Sequence, residues 1–102
     1  MNYIKDWVTE VGSDPLYWPG IYCSQNNALQ IFNYVYTSTR YLRMWVANWT
    51  VSNPDVTSSD PCNPDDSGLP GATIWQCTGD TNIPYLNSVD VDSSTLINPG
   101  SL

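Results

Sequence analysis

Three short apolar runs limit what this chain can become: GIYCS at 20–24, RMWVANW at 43–49 and TIWQC at 73–77. The second and third are continuous rather than alternating, which suits strands buried on both faces. Helical spacing lies before and between these runs. Ile4, Trp7, Val8 and Val11 follow the i, i+3, i+4, i+7 rule of a helix with one buried face, and Gly12 ends it with Asp14 and Pro15 beyond. From Gln25, the residues Ala28, Ile31, Phe32, Val35 and Tyr36 recur at the same spacing, and Thr37, Ser38 and Thr39 loosen the end. A long loop over about 50–71 carries Pro54, Pro61, Pro64 and Pro70 together with Asp55, Asp60, Asp65 and Asp66. Loops of that length in a compact domain are often functional. Beyond the third run a polar stretch leads to Val89–Asp92, and Ser93 or Ser94 is placed to cap a short final turn before Pro99 and Gly100.

The order helix, strand, helix, strand, loop, strand predicts an α/β protein with a parallel sheet and flanking helices. About three parallel strands with one full crossover helix make a poor sheet alone, because both edges stay open and these strands are apolar for edges. Residues 1–102 therefore read as one partial domain of a larger α/β structure, expected to self-associate when isolated.

Charge narrows the partners. The 102 residues hold 3 Lys+Arg against 10 Asp+Glu, no His, and a net charge of -7. A nucleic-acid partner is excluded for want of a basic patch, and a polybasic membrane anchor on the same ground. Without His there is no Ser-His-Asp or Cys-His catalysis within the chain and no His-ligated metal. No apolar run reaches the length of a membrane span, and Lys5, Asp6 and Glu10 interrupt Met1–Val11, so no signal peptide is expected there. Only 13% of residues are charged, yet 5 are Trp and 7 are Tyr, a balance that suits secreted domains handling sugars and equally a Trp-rich core. The odd cysteine count, Cys23, Cys62 and Cys77, suggests one disulfide and one free thiol. Cys62 in the loop and Cys77 at the end of an apolar run are placed to staple that loop, leaving Cys23 free and buried on its strand. No Cys-x-x-Cys pair favours zinc or dithiol chemistry.

Four motifs occur in one order: PGIYCS at 19–24, MWVANW at 44–49, IWQCTGD at 74–80 and SVDVD at 88–92. Over roughly residues 19–92 this series resembles the C-terminal half of the family 25 glycoside hydrolases, the lysozyme-type muramidases, and a related group of glycoside-hydrolase-like domains. The resemblance implies the C-terminal portion of an irregular (β/α) TIM-type barrel. It also implies an extracellular protein acting on β-1,4 bonds of peptidoglycan between N-acetylmuramic acid and N-acetylglucosamine, with no metal or organic cofactor. A missing N-terminal half of the barrel would then be a further partner.

Barrel enzymes place their sites at the C-terminal ends of the strands, which here carry Tyr22, Trp49 and Gln76. Aromatic faces stack on the apolar faces of sugar rings, and Gln can bond hydroxyl or acetamido groups. Trp45 and Trp75, in mid-strand, read as substrate contacts or as packing. Asp90 matches the late catalytic Asp of the family, and Asp92 stands where the family usually has Asn. The family's central Asp-x-Glu has no counterpart, because Glu10 is the only Glu and lies on the first helix. Cys77 replaces a usual aromatic residue. Asn48-Trp49-Thr50 forms a glycosylation sequon whose use at a buried strand end is not expected. The primary expectation is thus a hydrolase fragment inactive alone. The alternatives are a non-catalytic carbohydrate-binding or cell-wall-associated domain, and a free-standing small secreted α+β protein held by one disulfide.

Overall fold

A computed structural model describes residues 2–14, 16–36, 42–52, 62–83 and 86–95. Helix α1 (Asn2–Gly12) leads to strand β1 (Gly20–Ser24), helix α2 (Gln25–Tyr36), strand β2 (Arg43–Ala47), a single 3-10 turn (Pro64–Asp66), and strands β3 (Ile74–Ile83) and β4 (Leu86–Ser94). The four described strands form one sheet in the order β1-β2-β3-β4. β1, β2 and β3 run parallel, Tyr22 lying opposite Trp45 and Trp45 opposite Ile74. β4 runs antiparallel to β3, with Gln76 opposite Asp92 and irregularities between Gln76 and Ile83.

The helices form where the spacing predicts them. α1 turns Val8 inward, with Ile4 packed beside it, and α2 turns Ala28, Ile31 and Val35 inward. They meet Met44 and Val46 of β2, together with Leu42, Leu69 and Ala72, in one apolar cluster. Trp7, expected on the buried face of α1, stays partly exposed. A smaller cluster on the same side of the sheet gathers Cys62, Trp75, Cys77 and Val91. The Cys62–Cys77 disulfide forms there, 15 residues apart in sequence, and Cys23 is free and half-buried in β1.

The expected barrel portion is not what forms. A (β/α) barrel needs parallel strands with helical crossovers, whereas β3 is followed by a β4 that pairs antiparallel with it. Residues 78–83 and 86–92, expected as a polar stretch, are strand, and Ser93 and Ser94 lie within β4 rather than capping a turn. Its alternation of Val and Asp is the period of a strand with one wet face. β2 is also buried on one face only. Among the described residues both helices pack on that face, and the opposite face is left open. The expected features at 37–39, residues 53–61 of the proline-rich loop and the chain end at Pro99–Gly100 lie outside the described residues. No described helix is long and apolar enough to cross a membrane.

Candidate functional site

Alternation along each strand decides which side chains reach the open face. Met44, Val46 and Asn48 point toward the helices, so Trp45, Ala47 and Trp49 point away from them. In β3, Trp75 and Cys77 go to the covered side and Gln76 to the open one. In β4, Val91 and Ser93 are buried while Asp90 and Asp92 are exposed.

Gln76 is the hub. It is only 4% exposed, yet its side-chain amide is used at both ends. Its Oε1 accepts from the Tyr22 hydroxyl at 2.8 Å and from the Trp49 indole N–H at 2.9 Å. Its Nε2 donates to Asp90 Oδ2 at 2.9 Å. A second pair runs alongside, with Trp45 Nε1 donating to Asp92 Oδ1 at 2.7 Å. The Tyr22 and Trp45 rings meet edge to face with centroids 5.0 Å apart. Tyr22 is 54% exposed and Trp49 60% exposed, so rings fixed at their polar edges still present apolar surface to solvent.

Trp49 is held a second way. The chain leaves β2 without leaving β3: Asn48 N–H donates to the Gln76 carbonyl at 3.1 Å and Val51 N–H to the Cys77 carbonyl at 3.1 Å. Asn48 Nδ2 anchors to the Ser67 carbonyl at 2.8 Å. This path lays the Trp49 ring over Gly79, where a Cβ would come within 2.8 Å of Cη2 and closer still to Cζ2 and Cε2. A glycine inside a strand marks such a close approach.

Asp92 is exposed as a residue, but partial desolvation of its carboxyl raises its pKa. The Trp45 N–H bond opposes that shift, and the neighbouring Asp90 charge adds to it. A carboxyl whose pKa is higher folded than unfolded favours folding while protonated. That contribution is complete below the ordinary carboxylate value of about 4 and is lost as pH rises through Asp92's own higher value. Asp92→Asn keeps an acceptor for Trp45 and removes the titration. Wild type should therefore lose stability relative to Asp92→Asn as pH rises through that window. Urea denaturation at a series of pH values measures it, and a difference independent of pH refutes it.

The structure brings together Tyr22, Trp45, Trp49, Gln76 and Asp90 of the expected site residues and adds Asp92. Trp75 does not join them. It is 3% exposed on the covered face, its indole N–H donating to the Asn48 carbonyl at 2.9 Å, so it is a packing residue. Sequence reasoning missed Gly79, whose mid-strand position was the available signal. It also missed a cleft of about 370 Å³ lined by Ser24, Gln25, Asn26, Ala47, Asn48 and Trp49. Among the described residues no cluster of three or more His, Cys, Asp or Glu is arranged to hold a metal ion. No protein-family model, curated protein or solved structure matches this chain.

Proposed function

We propose that the open face binds a glycan, with peptidoglycan or a related β-1,4-linked polymer of N-acetylated hexosamines as its ligand, and that recognition is this chain's own role there. The observation that carries the reading is the fixing of exposed Tyr22 and Trp49 on the buried amide of Gln76. Exposed aromatics ordinarily lose rotamer freedom on binding, and rings already held avoid that cost. Asp90 and Asp92 supply acceptors for sugar hydroxyls at the rim. An extracellular location belongs to the same reading, since disulfides persist in oxidising compartments.

Hydrolysis is the second reading, favoured by two carboxylates on one face and the raised pKa of Asp92. Glycosidases place carboxyl groups on both sides of the bond they cleave. Asp90 and Asp92 stand two residues apart on one strand and serve one side. Recognition is therefore the better supported.

The chain should bind insoluble peptidoglycan in a sedimentation assay without releasing reducing ends above background. Trp49→Ala and Tyr22→Ala should each weaken binding about tenfold, the equivalent of ~1.4 kcal/mol. Undiminished binding by both variants removes the aromatic face from function. Reducing-end release that Asp90→Asn abolishes would instead establish the hydrolase reading.

A further inference from the structure

The cleft at the C-terminal ends of β1 and β2 has no part in the hydrogen-bonded aromatic cluster beyond sharing Trp49. Its volume of about 370 Å³ falls at the small end of ligand-sized pockets. One wall is the Trp49 ring, and Ala47, from the open-face row of β2, leaves room beside it. The other wall is polar: Ser24 closes β1, and Gln25 and Asn26 open α2.

Two details show the polar wall is ordered. Asn27 Nδ2 donates to Ser24 Oγ at 3.3 Å, which leaves the Ser24 hydroxyl proton available to donate elsewhere. The Gln25 side chain lies against Gly68, where a Cβ would come 2.7 Å from Gln25 Cγ. Gly68 has φ +94°, a conformation glycine adopts without strain, so the loop approaches Gln25 closely. No lining residue carries a charge. An aromatic wall facing hydroxyl and amide groups fits a pyranose with hydroxyl or acetamido substituents. A carboxylate-bearing sugar would find no cation there, in a chain of net charge -7.

We propose that this cleft is a second sugar subsite, taking an uncharged N-acetylhexosamine unit linked to one bound on the open face at Tyr22. Trp49 forms the boundary between the two units. The inference rests on the glycan-binding reading of the open face and extends it to a ligand of at least two sugars with a neutral residue in the cleft.

Titration calorimetry of the 102-residue chain with N-acetylglucosamine and its β-1,4-linked disaccharide tests it. The disaccharide should bind at least about tenfold more tightly, a gain of ~1.4 kcal/mol from the second unit. Ser24→Ala/Asn26→Ala should erase that gain and leave monosaccharide affinity unchanged. In wild type, the backbone amide resonances of Ser24 and Asn26 should shift with the disaccharide and not with the monosaccharide, which keeps the test independent of how the variant folds. Equal affinities for the two sugars, with the monosaccharide still bound, overturn the second subsite and leave the aromatic face standing. Failure of both sugars to bind overturns both. A disaccharide bearing a carboxylate on its cleft-side unit should bind no better than the monosaccharide, and full affinity for it overturns the neutral assignment.

Discussion

Gly79→Ala should abolish most glycan binding while leaving the protein folded. The methyl group would enter space occupied by the Trp49 ring, at 2.8 Å from Cη2 and closer to two other ring atoms. Gly79 itself has no left-handed φ that alanine would strain. Backbone hydrogen bonds from Asn48 and Val51 hold the path to Trp49, so the main chain cannot easily yield. The ring can, because its outer side is solvent. It must swing out and lose its bond to Gln76 Oε1. Stability should change by less than ~1 kcal/mol, since an exposed ring's single hydrogen bond is at stake. Affinity should fall about tenfold or more, the loss of a held aromatic anchor. Near-ultraviolet circular dichroism would report the displaced indole, and sedimentation with peptidoglycan the affinity. Unaltered affinity with a displaced ring would mean that Trp49 does not contact the ligand.

Cys62→Ala/Cys77→Ala should cost about 3 kcal/mol, because the bridge closes a loop for which chain entropy alone contributes roughly that much. Its removal frees the end of the proline-rich segment from β3, and the Cys62 N–H that donates to Ser93 Oγ at 3.1 Å loses its fixed position. In a domain whose whole stability is on the order of 5–15 kcal/mol, that is a large share. The bridge lies on the covered side, packed with Trp75 and Val91. Glycan binding below the melting transition should therefore survive. Denaturant titration of the variant against the oxidised wild type measures the effect, and a loss under ~1 kcal/mol would show that the loop is held by other contacts.

The site was legible in its residue types more than in its geometry. Tyr22, Trp49 and Gln76 stand out as strand-end residues suited to sugars, and they do share one hydrogen-bonded cluster. Asp90 joins through Gln76. Asp92, which the motif comparison left without a role, is the partner of Trp45. Trp45 and Trp75 illustrate the difficulty. Both are tryptophans in the middle of apolar strands, but one forms part of the open face and the other is buried beside a disulfide. A strand that exposes tryptophan on its open face shows no apolar–polar alternation, so β2 reads as buried on both sides when only one side is.

Local sequence determined the elements that depend on near neighbours: the apolar stripe and Gly12 stop of α1, the start of α2 at Gln25, β1, β2 and the first part of β3, and a disulfide between loop and strand. Helical periodicity, turn residues and loop closure act over a few to some fifteen residues, and that range is readable in one chain. Tertiary structure alone decided that β4 pairs antiparallel with β3, that both helices cover the same face, and that on the open face two aromatic rings share one glutamine while a third bonds Asp92. Those outcomes depend on which surfaces meet across the sheet, because each strand satisfies its backbone with whichever neighbour also buries its apolar side.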